Sequence, residues 1–269
     1  MSKGFLIFAQ NNDIDDYVKQ AYLCALSGHA SGNKYFTLVT DVEPPKEYKS
    51  VFDNVIVLEN DESKDADWKI ENRWKAYDLS PYEHTVVLDS DTLILNKIDF
   101  TAFDEDVYFT QNPITYRGED INATYYRKAF FLNHLPNIYM GMYYFRKCDS
   151  ARHFFEMLQI VMQNWREFYK VFCFEAMPKH VSVDVCASIA CLLVDLGHKR
   201  KYDVVPFVHM KLHAQNWKQT NEFWQQKVQW YMKDRLKIGN FTQNGIFHYT
   251  EKNFADKILE RYQNVLVQV

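Results

Sequence analysis

The residues best suited to chemistry are Asp89-Ser90-Asp91, two carboxylates spaced by one residue. Thr85-Val86-Val87-Leu88 precedes them and Thr92-Leu93-Ile94-Leu95 follows, so two charges stand inside an otherwise apolar stretch. An aspartate after a strand can be a turn former or a helix cap. Unpaired carboxylates among aliphatic side chains are costly to bury, however, and a metal ion removes that cost. Carboxylates at this spacing can both reach a hard divalent cation, directly or through water, and such a cation also takes substrate phosphates.

The elements around this triplet predict where it sits. The run Phe5-Leu6-Ile7-Phe8-Ala9 reads as a strand buried on both faces. Val18, Ala21, Tyr22, Ala25 and Leu26 follow as an amphipathic helical stripe, with Asp13 and Asp15 as caps and Gly28 or Gly32 as the stop. Residues 35–40 and 55–58 read as further strands, separated by Pro44-Pro45. A helix over 68–79, ended by Pro81, leads to a buried strand over 85–88. Strand and helix alternate, which predicts a parallel α/β sheet with right-handed crossovers. Ligands of such sheets bind beyond the carboxyl ends of the strands, where Asp89 and Asp91 stand.

The second half is less regular. Strands over 107–110 and 142–145 flank an aromatic and basic loop. Asp149 or Ser150 caps a long helix carrying Phe154, Leu158, Val161, Met162 and Trp165. Another helix runs from Val183 to Leu196 and stops at Gly197. The last third, rich in Trp and Gln, closes on Ile246-Phe247-His248-Tyr249 and a final helix.

Composition bounds the rest. With 269 residues, 47% apolar, the chain can build one large core. Eight Gly, seven Pro and no low-complexity stretch exclude disorder, collagen and solenoid repeats. The apolar runs fall well short of the roughly 18 residues of a membrane span, and the opening run is too brief for a signal peptide. Five cysteines without CxxC spacing predict reduced thiols and a cytoplasmic location. A net charge of -4 gives no global pull toward nucleic acid or anionic membrane.

The segment Val87-Leu88-Asp89-Ser90-Asp91-Thr92-Leu93-Ile94-Leu95 resembles the Asp-x-Asp segment of GT-A glycosyltransferases, closest to the glycogenin and galactinol synthase type. Arg73-Trp74-Lys75-Ala76-Tyr77-Asp78-Leu79-Ser80-Pro81-Tyr82 is similar to the helix and turn before that motif. Tyr139-Met140-Gly141-Met142-Tyr143-Tyr144-Phe145 resembles the family's Asn-Ser-Gly strand, and Ser182-Val183-Asp184 falls where an Asp opens a helix. Phe247-His248-Tyr249-Thr250-Glu251-Lys252 is similar to the closing His-Phe-x-Gly-x-x-Lys-Pro-Trp motif. The chain also resembles glycosyltransferases carried by tailed marine phages. The likeness covers nearly its full length, and the Asp-x-Asp block is its most specific part.

The resemblance implies a GT-A (Rossmann-like) fold, a mostly parallel sheet flanked by helices. It would form a single domain over 1–269, with a nucleotide-binding half at 1–95 and an acceptor and sugar half at 96–269. It implies transfer of a sugar from a nucleoside diphosphate sugar, UDP-linked, to a hydroxyl, with retention. Asp89, Asp91 and His248 would hold Mn2+ or Mg2+. Arg73, Ser90 and Lys252 would meet the donor, with Ala9, Gln10 and Asn11 at the base and Tyr17 stacked on it. Asp184 would be the sugar-facing carboxylate, acting by positioning and electrostatics, and Lys211 a catalytic candidate on the acceptor side.

Taken singly, these residues also have plainer readings. His248 could be a hydrogen-bonded core histidine, Asp184 an N-cap, Arg73 and Lys252 solvated charges, and residues 9–12 a polar loop. The chain also departs from the family pattern. Tyr139 and Met140 replace Asn and Ser, Thr250 or Glu251 replaces Gly, and Asn253-Phe254 replaces Pro-Trp, so the donor sugar does not carry over.

The acceptor is read from loops. Tyr116-Arg117, Tyr125-Tyr126-Arg127-Lys128 and His198-Lys199-Arg200-Lys201 offer aromatic platforms and cations. Aromatics stack sugars and bases alike, and the cations can contact phosphates. A carbohydrate acceptor needs only the aromatics. The phage resemblance adds DNA carrying a hydroxylated pyrimidine as a possible partner, against which the net acidity weighs. A catalytically idle nucleotide-sugar-binding protein, and a nucleotidyltransferase or hydrolase using the same metal pair, are the other classes.

Overall fold

The computed structural model describes residues 1–64, 66, 69–119, 127–174, 177–196, 203–210, 224–231 and 235–266. Strand β1 (Lys3–Ala9) is buried on both faces, as its continuous apolar run predicts. Phe5, Ile7 and Ala9 enter one core while Leu6 and Phe8 enter the other, the two-residue alternation of a central strand.

Beside it lie β2 (Phe36–Thr40), β3 (Asn54–Val57) and β4 (His84–Asp89), all parallel. After β4 the chain leaves this sheet through Ser90 and Asp91 and enters β5 (Thr92–Ile94) of a second sheet. Strands β6 (Val107–Thr110) and β7 (Tyr139–Arg146) complete a six-stranded sheet of order β3-β2-β1-β4-β7-β6. β7 is antiparallel to both its neighbours, β4 and β6. Its amino end therefore lies at the same sheet edge as the carboxyl ends of β1 and β4.

The second sheet pairs β5 antiparallel to β12 (Ile246–His248), which runs parallel to β8 (Phe207–His209). A third, antiparallel, sheet is formed by β9 (Val228–Tyr231), β10 (Arg235–Ile238) and β11 (Phe241–Thr242).

On one face of the main sheet lies α1 (Tyr17–Ala30), followed in the chain by the single turn α2 (Lys46–Lys49). Asp16, rather than Asp13 or Asp15, caps α1, because its carboxylate reaches the open N–H of Lys19 at 2.9 Å. Gly28 stays inside the helix, and Gly32 at φ +79° follows the stop.

The helix predicted over 68–79 is instead a 3-10 segment, Glu71–Lys75, followed by the short α3 (Ala76–Leu79). Its winding is set by side-chain ties to the preceding loop: Ser63 Oγ accepts from Glu71 N–H, and Asn72 Nδ2 donates to Asp61 at 2.6 Å. Trp68 lies outside the described residues.

Next come α4 (Lys128–Leu132), α5 (Asp149–Gln163) and α6 (Trp165–Phe172). Cys148 holds the cap position of α5, so Asp149 opens the helix and favours its positive end instead of capping it. Asn164, at φ −120°, separates Trp165 from α5 and starts α6 there. α7 (Val183–Leu193) is capped by Ser182 and ends before Leu196, with Asp195 at φ +56°. Gly197 lies outside the described residues. α8 (Phe254–Leu266) packs on α1. Among the described residues no helix is long and apolar enough to cross a membrane.

Gly245, at φ +69°, feeds β12, and a Cβ there would lie 2.0 Å from the Pro206 carbonyl oxygen. Gly32 has a similar φ but open space around it. Gly245→Ala is therefore expected to lose about 3 kcal/mol or more, and Gly32→Ala about 1 kcal/mol, in urea unfolding. Equal losses would show that the Pro206 contact does not constrain the approach to β12.

Candidate functional site

Three strand ends build the site. β4 delivers Asp89 as its last residue, in register with Phe8 of β1. The turn that follows is fixed by Thr92, whose hydroxyl donates to the Asp89 carbonyl at 2.7 Å. β12 then sets His248 opposite Thr92, and the Tyr249 N–H closes on the Asp91 carbonyl at 3.2 Å. This pairing places His248 Nε2 3.0 Å from Asp91 Oδ2. One ligand atom each from Asp89, Asp91 and His248 lies within 4.8 Å of the others.

Two cations flank the acids. Arg73 Nη2 lies 2.5 Å from Asp89 Oδ1, and the guanidinium sits over the Phe8 ring at 5.1 Å. Its Nη1 is buried and has no hydrogen-bond partner among the described residues. Beyond β12, Thr250 at φ +57° turns the chain, and Lys252 reaches back to Asp91 Oδ2 at 2.5 Å. Lys252 Nζ also lies over the Tyr17 ring, 4.8 Å from its centroid.

These contacts set the charge states. Burial opposes the ionised form of Asp91, but the fields of His248 and Lys252, with their hydrogen bonds, outweigh it and hold the carboxyl well below the usual range. Burial likewise opposes the Lys252 charge, yet Asp91 raises its pKa overall. The Tyr17 phenol is raised, chiefly by burial and against the pull of Lys252.

The acid cluster fits a divalent cation. Carboxylate oxygens with one imidazole suit manganese or magnesium. Ligands at about 2.1 Å stand at most about 4.2 Å apart across an ion, so closure needs only a small contraction. His248 Nδ1 is buried and has no partner among the described residues. A Cβ at position 141 would lie 3.2 Å from Asp89 Oδ2 and 3.6 Å from that nitrogen, space that Gly141 leaves open.

A cleft of about 1110 Å³ opens over the cluster. Gln10, Asn11, Tyr17, Arg73, Asp89, Ser90, Asp91, Asp184, His248 and Lys252 all line it. Ala9 is buried at the end of β1 and is not among the lining residues. Lys211 lies outside the described residues.

Several of these side chains are already engaged. The Gln10 amide donates to Asp61 at 2.7 Å and accepts from Asn72 at 3.2 Å, so it braces the loop before Arg73. Asn11 Oδ1 accepts from the Val18 N–H at 3.0 Å, anchoring the first turn of α1. Asp184 Oδ2 pairs with Arg127 at 2.7 Å, and its Oδ1 accepts from the Met140 N–H at 2.9 Å.

The acceptor loops are surface patches only in part: Arg117 and Lys128 are exposed. Arg127 and Tyr116 are buried, because Arg127 stacks on Phe130 and Tyr139 while Tyr116 packs against Phe241. Tyr125, Tyr126 and residues 198–201 lie outside the described residues.

Sequence reasoning passed over Asp41 and His209, which also line the cleft. His209 stands beside His248 in the β8–β12 register, with ring centroids 4.8 Å apart. Each carried a signal: Asp41 follows β2 as Asp91 follows β4, and His209 is a polar residue in a short apolar strand.

No protein-family model matches the chain, and no curated protein matches its sequence. Solved structures do resemble it. The glycosyltransferase GlyE of Streptococcus pneumoniae TIGR4 is similar over 99% of this chain at 12% identity and a TM-score of 0.50; the chain spans 63% of GlyE. An active-site mutant of LgtC is similar over 98% of this chain and 95% of its own, at 12% identity and a TM-score of 0.52. LgtC, a galactosyltransferase solved with donor and acceptor sugar analogues, is similar over 99% and 96%, at 12% identity and a TM-score of 0.53. The chain therefore has the mixed α/β fold of GT-A glycosyltransferases, with a central, mostly parallel sheet flanked by helices.

The Asp91 pairing has a measurable signature. A carboxylate whose pKa is lower folded than unfolded stabilises fully above its unfolded value, about 3.9, and loses that contribution as pH falls through the folded value. The stability gap between wild type and Asp91→Asn in urea unfolding is expected to be fully present at about pH 5 and to narrow as the pH falls below about 4. A gap constant from about pH 5 to pH 3 would contradict the pairing.

Proposed function

We propose that this chain is a metal-dependent glycosyltransferase, moving a sugar from a uridine diphosphate sugar to a hydroxyl of a carbohydrate acceptor with retention. It would act as a single domain over 1–269, in the cytoplasm. The observation that carries the reading is the meeting of Asp89, Asp91 and His248, flanked by Arg73 and Lys252, at the carboxyl edge of a GT-A-type sheet. The likeness to LgtC, itself solved with donor and acceptor sugar analogues, supports a sugar donor and a sugar acceptor here.

Asp89, Asp91 and His248 would hold Mn2+ or Mg2+, which as a Lewis acid neutralises charge developing on the departing diphosphate. Arg73 and Lys252, now on carboxylates, both line the cleft and would turn toward diphosphate oxygens, and the buried Nη1 of Arg73, without a partner among the described residues, gives the guanidinium a further donor to offer on such a turn. The order of the sheet supports the order of the subsites. Asp41, Asn11 and Tyr17 lie at the β2 and β1 ends and would take the nucleotide. Tyr139, Gly141 and Asp184 lie at the β7 side and would take the sugar.

Both oxygens of Asp184 are hydrogen-bonded, which supports a role in positioning and electrostatics rather than covalent attack. The burial of Arg127 withdraws one cation from the patches that would follow a DNA backbone, while Arg117 and Lys128 stay exposed, and the likeness to LgtC favours a carbohydrate acceptor.

The test is UDP release from a panel of UDP-sugars with Mn2+, with and without sugar acceptors. Asp89→Asn and Asp91→Asn are expected to lower turnover by about 10²–10³-fold while the protein stays folded, and a chelator should abolish it. If no UDP-sugar is turned over and none raises the melting temperature with Mn2+, the proposal fails.

A further inference from the structure

Arg127 does not line the cleft, yet it is among the largest fully buried side chains of the described residues and pairs with Asp184, which does. Its guanidinium lies between two rings, 3.6 Å from the centroid of Phe130 and 3.7 Å from that of Tyr139. Nε donates to Asn137 Oδ1 at 2.8 Å, Nη1 to Asp184 Oδ2 at 2.7 Å, and Nη2 to the Ile138 carbonyl. This arrangement uses what distinguishes arginine from lysine: a flat, delocalised cation that stacks on both faces while donating in plane along several fixed directions.

The partners give the residue its meaning. Arg127 stands at the cap of α4, Ile138 and Tyr139 at the amino end of β7, and Asp184 in the first turn of α7. Asp184 completes the link by accepting from the Met140 N–H. Tyr139, Gly141 and Asp184 all line the cleft on the far side of the acid cluster from Asn11, Tyr17 and Asp41. One buried cation thus fixes the carboxylate, the aromatic wall and the backbone of that side together, through contacts to Phe130, Asn137, Ile138, Tyr139 and Asp184.

We infer that Arg127 is a positioning residue for the sugar subsite. It holds Asp184 and the Tyr139 ring where the donor's sugar must lie, and leaves the nucleotide contacts untouched. The inference rests on the reading of the chain as a nucleotide-sugar transferase.

The experiment compares wild type, Arg127→Lys, Asp184→Asn and the double variant Arg127→Met/Asp184→Asn. The double variant removes both charges, so no buried charge is left unpaired to unfold the chain. UDP, UDP-glucose and UDP-galactose binding are measured calorimetrically with Mn2+, alongside UDP release from the two donors. In both Arg127 variants UDP affinity should match wild type, while the gain in affinity from the attached sugar is lost and turnover drops by about tenfold or more. The two substitutions should be less than additive in the double variant, because Arg127 acts in large part through that carboxylate; full additivity would overturn the inference.

Unchanged sugar-dependent binding and turnover, with only a lower melting temperature, would overturn the inference and leave the transferase reading standing. Parallel loss of UDP and UDP-sugar affinity would overturn it in the same way. A wild-type protein that binds none of the three ligands would instead remove the transferase reading itself, and this inference with it.

Discussion

A carboxylate withdrawn from water must find opposite charge within a few ångströms, and Asp91 finds it far along the chain. Lys252, 161 positions later, lies on one of its oxygens, and His248 shares that oxygen. No local turn can supply such a contact, so its geometry is borrowed from the second sheet. There β12 lies between β5 and β8 and aligns His248 with Thr92. Gly245 admits β12 past Pro206, and Thr250 turns the chain so that Lys252 returns. The C-terminal segment thereby completes a site whose acids come from the first half.

The same balance recurs across the cleft. Asp89 faces Arg73, Asp91 faces Lys252 and His248, and Asp184 faces Arg127. The three groupings are not equivalent. The first two lie around the acid cluster, where an arriving cation and diphosphate would offer new partners to the members of each. An exchange of that kind preserves total charge compensation while changing every contact. The Arg127 pair has no such exchange open to it, since stacking and three hydrogen bonds fix the guanidinium from all sides. Two groupings are thus suited to change partners on binding, and one to stay rigid.

Much of the frame was legible in the sequence because it is written locally. The apolar run of β1, the helix α1 and the acidic triplet that closes β4 depend on neighbours within a few residues, and all three form where the sequence puts them, although α1 is buried beyond its predicted stripe, at Gln20, Leu23, Cys24 and Ser27 as well. What was not legible depends on distant partners. Asn164 divides a stripe that reads as one helix, and the side-chain ties of Ser63 and Asn72 wind a predicted α-helix as 3-10. Gln10 reads as a free amide until Asp61 and Asn72 are seen to occupy it. Arg127 is the sharpest case. In a run of tyrosines and lysine it reads as surface, and only the fold reveals that Asp184, Asn137 and two rings enclose it.

The reversal of β7 explains why these distant residues gather where they do. A parallel strand at that place would bring its carboxyl end to the site edge. The antiparallel strand brings its amino end instead, together with Tyr139, the Met140 N–H and Gly141. A Cβ at Gly141 would lie 3.0 Å from the Phe207 ring and 3.2 Å from Asp89 Oδ2, a tight approach, so strand direction and the missing side chain together leave the cluster its room. α7 points its first turn at the same edge, where unpaired N–H groups and the helix dipole favour an anion. Asp184 occupies that favourable ground and is held there from the far side by Arg127. Strand polarity, helix polarity and one buried cation therefore converge on a single carboxylate, which is a firmer basis for assigning it a positioning role than its place in the sequence alone.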